Sequence, residues 1–373
     1  MHHFTRSLLA LSFAVSLAAG DRLYTVTSND ATLRLVNPFT GTTISSVPIT
    51  SSAGQVNWAN GLAVHPLTGD LWAILNVSGS GRVLARLDPT TGIATVVGPT
   101  GRAFAGIAFA ANGTLYGVTG DGDQVAPETL FTLNLQTGAP TQVLALGNGD
   151  DGETIGFDPV TGNLLHASGY FSPVLERIDL GSLTVTSVPT SGSPYIEALA
   201  ITHWVGSNFL MSDINDDLFV VSADGVVSKI ATLDHSFIKG LAFVQTTNAA
   251  FFQPYGDGCP SNGYIPVLAG VGSPAPNSTV TLNVANGPGA APGGLAIGFG
   301  TGAFPLRPGC VVQILPLANV VLPVVLGGSG AGTGTASVPL QIPGSVQGDL
   351  YFQAALFDGV DIVVSNPEQV HIQ

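Results

Sequence analysis

A short motif that occurs five times constrains the fold of this chain more than any other feature. Residues 61–88 read GLAVHPLTGDLWAILNVSGSGRVLARLD, and related runs return further along the chain. The copies begin at Gly61 (GLAVHP), Gly106 (GIAFAA), Thr154 (TIGFDP), Ala198 (ALAITH) and Gly240 (GLAFVQ), so successive copies are 45, 48, 44 and 42 residues apart. A period in the forties with about four short strands per unit is typical of β-propeller blades.

The two ends of the repeat region complete each other. Residues 23–50 hold three strand-like runs without a first strand, while the copy at Gly240 is a first strand with no blade after it. Pairing these segments would close the ring and remove exposed sheet edges, which are costly. We therefore predict an all-β, five-bladed propeller, with six blades as the alternative. The blades are expected at residues 240–246 with 23–50, 60–98, 105–146, 153–190 and 197–233.

Composition agrees with an all-β chain and excludes some partners. Only 9% of the residues are charged, whereas 48 are Gly and 25 are Pro, which favours short strands between turns over helices. The 24 acidic and 10 basic residues give a net charge of -14. An acidic chain is a poor ligand for phosphates, so we expect no nucleic-acid partner.

The N-terminus has the pattern of a secretory signal peptide. His2, His3 and Arg6 precede a short apolar run at residues 8–18, and small residues follow up to Gly20. The run is too short to span a bilayer, and no later stretch is long and uniformly apolar, so we expect no transmembrane segment. We predict that residues 1–20 are cleaved and that the mature chain is secreted or extracytoplasmic, including at the cell surface or envelope.

The repeats resemble the NHL and SMP30/gluconolactonase-like β-propellers, whose blades often begin with Asn-Gly-Leu-Ala before a Pro-x-Gly turn. The matching residues are residues 60–63 with Pro66 and Gly69 and, more weakly, residues 106–108 and 240–242. The resemblance covers about residues 23–246 and supports the fold more than an activity. The gluconolactonase-like enzymes bind a metal through Glu, Asn and Asp side chains at the mouth of the channel. The resemblance therefore implies a metal site at the same place in this chain.

The repeat stops near residue 251, and a second domain is expected beyond it. Residues 259–373 hold one basic residue, Arg307, and about seven strand-like runs between Gly and Pro turns, which predicts a C-terminal β-sandwich. We expect the propeller at residues 21–250 and a linker at residues 251–258. The two cysteines, Cys259 and Cys310, both lie in the second domain. In an exported chain they are most simply a disulfide, with two free thiols as the alternative.

This second domain resembles a C-terminal module of secreted proteins from planctomycete-type bacteria. The matching features are Gly258-Cys259-Pro260, the Gly-x-Pro at residues 272–274, the Pro-Leu…Cys at residues 305–310, the Ile-Pro at residues 342–343 and the ending Gln353…Asp358…Ser365-Asn366. The terminal position and the export context favour display, sorting or surface attachment. A plain structural appendage is the alternative.

Candidate metal ligands gather at the end of the channel where the first strands begin. The residues that directly precede these strands are Asn60, Ala105, Glu153, Glu197 and Lys239. Ca²⁺ prefers oxygen ligands, so Asn60, Glu153 and Glu197 form a predicted cation site, with rim carboxylates paired to Lys239 as the alternative. A second candidate is the set Asp213, Asn215 and Asp217, which resembles part of a calcium loop but lacks its Gly and its distal Glu.

The same face of the propeller is predicted to be acidic and to bind a partner. Its loops add Asp121, Asp123, Glu128, Asp150, Asp151, Asp213, Asp216 and Asp217. Trp58 is a candidate to stack on a sugar or peptide, with buried packing as the alternative.

The sequence contains no motif that identifies a reaction. We predict a secreted, non-enzymatic binding or scaffold protein that presents this acidic face to a protein, peptide, glycan or cation. The alternatives are a metal-dependent lactone or ester hydrolase at the same mouth and a structural component of the cell envelope sorted by the C-terminal domain.

Overall fold

The computed structural model describes residues 22–147, 154–170, 172–244, 250–259, 262–315 and 320–372. The secondary structure is β throughout, since no α-helix occurs in these ranges. A helix able to cross a membrane is accordingly not found in the described part of the chain. The predicted signal peptide at residues 1–20 lies outside the described residues.

The repeat region is built from short strands that precede residue 250. Their bounds are β1 (Arg22–Thr27), β2 (Thr32–Val36), β3 (Thr43–Pro48), β4 (Thr50–Ser51), β5 (Val56–Val64), β6 (Leu71–Val77), β7 (Gly81–Leu87), β8 (Ile93–Pro99), β9 (Phe104–Phe109), β10 (Leu115–Thr119), β11 (Thr129–Leu133), β12 (Pro140–Ala145), β13 (Thr154–Phe157), β14 (Leu164–Ser168), β15 (Val174–Asp179), β16 (Thr184–Ser187), β17 (Ser191–Gly192), β18 (Ala198–Val205), β19 (Asn208–Asp213), β20 (Asp217–Ser222), β21 (Val226–Thr232) and β22 (Ile238–Val244).

These strands form five sheets around a central channel. The sheet orders are β22-β1-β2-β3, β5-β6-β7-β8, β9-β10-β11-β12, β13-β14-β15-β16 and β18-β19-β20-β21, and β4 and β17 add to the outer edges of the second and the fifth. The inner strands contact one another in the cyclic order β22, β5, β9, β13, β18 and back to β22. The predicted all-β propeller class is confirmed.

The ring is closed by the strand pairing that the sequence predicts. β22 pairs with β1 in antiparallel orientation, with Leu23 opposite Phe243 and Val26 opposite Gly240. The end and the beginning of the repeat region therefore share one sheet. Pairing of this kind covers the edges that an open array of sheets would expose.

Side chains at the first position of a turn close the turns between the outer strands. Asp88 Oδ1 accepts hydrogen bonds from the N–H groups of Thr90 and Thr91. Gly92 completes this turn with a φ of 73°, and a Cβ there would collide with the carbonyl oxygen of Pro48 in the previous sheet. Such bonds favour turns over regular structure, so local chemistry spaces the strands. Equivalent bonds occur at Asn37, Asn134, Asp158 and Asp179.

The C-terminal domain is also built from strands. Their bounds are β23 (Phe251–Pro254), β24 (Val267–Val271), β25 (Thr279–Gly287), β26 (Pro292–Gly298), β27 (Gly300–Arg307), β28 (Cys310–Leu315), β29 (Val320–Val325), β30 (Gly334–Gln341), β31 (Gly348–Phe357), β32 (Ile362–Val364) and β33 (Glu368–Ile372).

Two sheets and a hairpin enclose the core of this domain. One sheet has the order β23-β33-β31-β26-β29 with β32 beside β31, the other has the order β24-β25-β30, and β27 pairs with β28. Buried side chains from both sheets, among them Leu282, Leu295 and Phe352, belong to one apolar cluster. The predicted C-terminal β-sandwich is confirmed.

Cys259 and Cys310 form the predicted disulfide. The two sulfur atoms are 1.97 Å apart, the Cα atoms are 4.9 Å apart and each residue is 1% exposed. Because Cys259 precedes β24 and Cys310 begins β28, the bond joins the entry of the domain to its hairpin.

Residues 251–258, expected as a linker, instead belong to the junction between the domains. β23 pairs with β33, the last strand of the chain, and Asp257 Oδ1 accepts a hydrogen bond from Ser207 N at 2.6 Å. Ile265 and Val267 of the C-terminal domain share a buried cluster with Trp204 of the propeller. The sequence did not reveal β23 because it has four residues and its partner lies at the far end of the chain.

Candidate functional site

We call the end of the channel where the inner strands begin the N-terminal mouth, and the end where they finish the C-terminal mouth. Asn60, Phe104, Glu197 and Lys239 mark the N-terminal mouth. Asn60 was expected just before a strand, but it lies within β5, which extends back to Val56 and has a register shift between Asn60 and Leu62. Asn60 therefore lies at the mouth, as expected, but the predicted start of the strand was wrong.

The Asn60 side chain is buried at this mouth, with 7% of its surface exposed. Its Nδ2 donates to the carbonyl oxygen of Phe104 at 3.4 Å, and Arg82 donates to the same oxygen at 3.1 Å. The Asn60 Oδ1 is enclosed and has no hydrogen-bond partner among the described residues. Since an unpaired buried oxygen is costly, this atom suits a water molecule or a cation.

Glu197 lies at the same mouth and is paired with a lysine. Its side chain is nearly enclosed, its φ is 42°, and its Oε1 is 3.7 Å from Lys239 Nζ. The residue precedes β18, whereas Lys239 is near the start of β22, the neighbouring inner strand. A carboxylate at the rim is therefore neutralised by the basic residue that the sequence places in the same ring.

The cation site predicted at Asn60, Glu153 and Glu197 is described only in part. Glu153 lies outside the described residues. In the ranges that are described, no group of three or more His, Cys, Asp or Glu side chains is placed to hold a metal ion. The site stays a prediction.

The carboxylate of Asp213 is engaged by backbone amides. Its Oδ1 accepts hydrogen bonds from Asn215 N at 2.9 Å and Asp217 N at 3.1 Å, and its Oδ2 accepts one from Ile196 N at 3.2 Å. Burial raises the pKa of Asp213, although these hydrogen bonds oppose the shift. The Oδ1 atom of Asp217 forms an ion pair with Lys229 Nζ at 2.6 Å. These contacts give Asp213 a structural role in forming the turn. Its predicted role as a calcium ligand with Asn215 and Asp217 stays a prediction.

A groove of about 530 Å³ lies on the same face, lined in part by Arg82, Arg102, Asp123 and Val125. The floor is held by Asp123, whose carboxylate accepts hydrogen bonds from the backbone N–H groups of Ala103 (2.9 Å), Val125 (3.0 Å) and Ala126 (3.0 Å). Burial raises the pKa of Asp123, but these bonds and the charge of Arg102 outweigh burial and bring the pKa below its usual value.

Trp58 is half-buried beside this groove and already has a partner on one face of its ring. The Cζ atom of Arg82 lies 5.1 Å from the ring centroid, within cation–π range. Arg82 thus connects Trp58 to the backbone of Phe104. The predicted stacking role of Trp58 stays a prediction, and it would use the remaining face and edge of the ring.

Arg82 and Arg102 are the residues of this site that sequence reasoning missed. Each follows a glycine, in Gly81-Arg82 and Gly101-Arg102, within a chain that has only 10 basic residues. Scarce basic residues, one at the start of β7 and one in the loop before β9, were the available signal in an acidic chain. The face was expected to be acidic, yet several of its carboxylates are bound by amides, lysine or arginine. Asp150 and Asp151 lie outside the described residues.

No protein-family model and no curated protein matches this chain. Solved structures with similarity include the nidogen/laminin complex, at 11% identity and a TM-score of 0.43, covering 60% of this chain and 98% of that chain. TolB from Acinetobacter baumannii has 14% identity and a TM-score of 0.38, covering 68% of this chain and 61% of that chain. A gluconolactonase from Xanthomonas campestris has 14% identity and a TM-score of 0.37, covering 65% of this chain and 82% of that chain. At these values no activity of those proteins is assigned to this chain.

Proposed function

We propose that the chain is an exported binding protein and that its partner occupies the groove beside the N-terminal mouth. The observation that carries this proposal is the anchoring of Asp123 by three backbone N–H groups at 2.9–3.0 Å. This carboxylate holds two loops in one arrangement, and a surface ordered before binding loses less entropy when a partner arrives. A carboxylate so engaged supports recognition better than proton transfer.

The chemistry of the groove favours a partner that carries carboxylates, such as an acidic peptide or glycan. Arg82 and Arg102 both line it, and guanidinium groups bind carboxylates with good geometry. Val125 has 76% of its surface exposed at the same groove and adds an apolar contact. The net charge of -14 opposes an anionic partner at long range, so specificity depends on these local contacts.

Binding of the mature, full-length chain to glycan and peptide arrays tests this proposal. Arrays of carboxylate-bearing glycans and acidic peptides are compared with arrays of their neutral analogues, and positives are measured by titration calorimetry. Replacing Arg102 with Gln should weaken binding by about tenfold, the cost of one charged contact.

The matched control is Arg86→Gln. Arg86 lies at the other end of β7, where its side chain is 51% exposed and pairs with Asp70 at 3.4 Å. Its loss should change affinity by less than about twofold, because exposed pairs contribute little. Preference for neutral ligands, or equal losses in both variants, would contradict the proposal.

A metal-dependent lactone or ester hydrolase at the N-terminal mouth is the second candidate. The unpaired Oδ1 of Asn60 favours it, because an enclosed amide oxygen is a suitable cation ligand. The test combines calcium titration monitored by thermal unfolding with a turnover assay on gluconolactone. Calcium-dependent stabilisation and turnover, both lost in Glu197→Gln, would favour the hydrolase over the binding protein.

Export is part of the proposal and is supported by the buried disulfide between Cys259 and Cys310. Cell fractionation with N-terminal sequencing should find a mature chain that begins near Asp21 outside the cytoplasm. An envelope role for the C-terminal domain, the third alternative, draws support from exposed apolar side chains such as Phe304 (47%) and Val325 (71%). Full-length variants with Ser at both positions should leave the envelope fraction if this role is correct.

A further inference from the structure

A separate cavity of about 430 Å³ lies at the C-terminal mouth. Residues from all five inner strands, β5, β9, β13, β18 and β22, contribute to its wall. Small-molecule sites typically have volumes of about 300–1,000 Å³. The cavity is therefore large enough for a small ligand, and it is distinct from the groove at the other end of the propeller.

Most side chains that line this cavity are apolar, and none of the described ones is an Asp, Glu, Lys or Arg. Leu62, Ile107, Phe109 and Phe157 contribute to its wall. The described lining side chains therefore supply no charged group to replace the hydration of an ion, whereas a neutral ligand needs none. The absence of charge from the described wall of so acidic a chain favours a neutral occupant.

Four polar side chains of the described residues line the cavity, and the two histidines among them are held by the backbone. His203 Nε2 donates to the carbonyl oxygen of Gly206 at 2.8 Å, and burial lowers the pKa of His203. His65 Nδ1 accepts hydrogen bonds from the N–H groups of Leu67 and Thr68. A few fixed polar groups within an apolar wall are the usual composition of a site that orients an apolar ligand.

The rim continues the apolar surface outward. Leu67 is 73% exposed and Val160 is 63% exposed, and they occupy the same position in the corresponding turns HPLTGD and DPVTGN. The preceding residues, Pro66 and Pro159, line the cavity. Turn tips ordinarily carry polar residues, so apolar side chains at equivalent tips of two sheets extend the entrance.

The C-terminal domain completes one side of the wall. Gln253 and Pro254 of β23 line the cavity, and β23 belongs to the sheet that contains β33. The site therefore includes residues of both domains. This arrangement gives the short strand β23 a role at the channel in addition to its role in the sandwich.

We infer that the cavity at the C-terminal mouth binds a neutral, apolar small molecule with aromatic or aliphatic rings. The ligand inserts its apolar body between the ends of the inner strands, and Gln253 and Pro254 cover one side. The described lining side chains offer no opposite charge to an ion or a charged peptide. The inference is independent of the groove at Arg102 and holds whether or not that groove binds a partner.

Fluorescence titration of the full-length mature chain with N-phenyl-1-naphthylamine, a neutral apolar dye, tests this inference. Saturable binding of one dye per chain is expected. The variant Thr202→Trp places an indole in the cavity wall and should weaken binding by at least about tenfold, a loss that titration resolves easily. The anionic dye 1-anilinonaphthalene-8-sulfonate should bind more weakly than the neutral dye.

The control Thr186→Trp adds the same side chain at an exposed position on β16, away from the channel, and should bind the dye as the unaltered chain does. Circular dichroism and thermal unfolding verify that each variant is folded. If Thr202→Trp does not fold, Val160→Lys at the exposed rim replaces it and should weaken binding severalfold. The inference is overturned if the cavity and control variants bind the dye equally, or if no saturable binding is found. It is also overturned if only Phe304→Ser, which removes an exposed apolar side chain of the C-terminal domain, abolishes dye binding.

Discussion

The two mouths of the propeller channel differ in charge although the same five inner strands form both. At the N-terminal mouth, Glu197 pairs with Lys239. Asp123 accepts hydrogen bonds from backbone N–H groups and pairs with Arg102. At the C-terminal mouth, the described wall contains no Asp, Glu, Lys or Arg. One repeated strand therefore presents a polar surface where it begins and an apolar surface where it ends.

The difference shows how a repeat architecture separates two binding chemistries. The loops that enter the inner strands carry charged groups such as Arg102 and Glu197, whereas the turns that leave β5 and β13 carry Leu67 and Val160 at their tips. The C-terminal domain contributes Gln253 and Pro254 to the apolar mouth. Four predictions below challenge or refine the comparison.

Loss of the disulfide should have the largest effect and should act on the C-terminal mouth. The bond spans 51 residues, and replacing Cys259 and Cys310 with Ser should lower the free energy of unfolding of the C-terminal domain by about 4 kcal/mol. Hydrogen exchange measured in urea should show residues 201–206 opening before residues 102–109. Simultaneous opening of the two segments would mean that the mouths are not independently stabilised.

Replacing Asp123 with Ala should destabilise the N-terminal mouth by about 3 kcal/mol, because three partly buried backbone N–H groups lose a charged acceptor. Urea unfolding measures the effect. Asp224→Ala is the control, since that side chain is 92% exposed in its contact with Arg177, and it should change stability by less than about 0.5 kcal/mol. A loss below about 1 kcal/mol in Asp123→Ala would remove the anchoring argument.

Acidification should affect the two mouths in different pH ranges. Burial lowers the pKa of His203 below the usual histidine value of about 6.5, so its stabilising contribution is present above about pH 6.5 and is lost as the pH falls through the folded pKa. Asp123 has a pKa below 3.8, so its contribution is present above pH 3.8 and is lost only in stronger acid. The exchange rate of residues 201–206 should rise first as the pH is lowered from 7.

The variant His203→Gln tests the assignment of that effect. It should flatten the pH dependence of exchange at residues 201–206 below about pH 6.5, the usual pKa of histidine. His235, whose pKa is also lowered by burial, contacts Thr25 outside this segment and serves as the control site for a Gln variant. If the pH dependence of exchange at residues 201–206 changes only in the His235→Gln variant, His203 is not the titrating group.

Leu67→Ser should have the smallest effect. Leu67 is 73% exposed, so stability should change by less than about 0.5 kcal/mol. Removing part of the apolar rim should weaken binding of N-phenyl-1-naphthylamine by about twofold. Dye titration and thermal unfolding measure the two quantities. Unchanged affinity would confine the site to the cavity and exclude the rim.

Sequence reasoning succeeded where local patterns repeat. The anchors at Gly61, Gly106 and Gly240 located inner strands, and the turn beginning at Asp88 separates two outer strands. The mouth at Asn60 and Glu197 was located from the same repeat, but their partners were not. Arg82 contacts Trp58 and Phe104 across sequence separations that follow no period.

The sequence by itself determined the repeat of strands and turns, the closing pair of β1 and β22, and the disulfide, because period, turn chemistry and cysteine number are properties of the linear chain. Only the tertiary structure decided that Asp123 binds the backbone of Ala103 and that β23 joins both the last sheet and the wall of the channel. The reason is that such contacts depend on strand register and on how the two domains pack, which bring together residues that have no pattern in common along the chain.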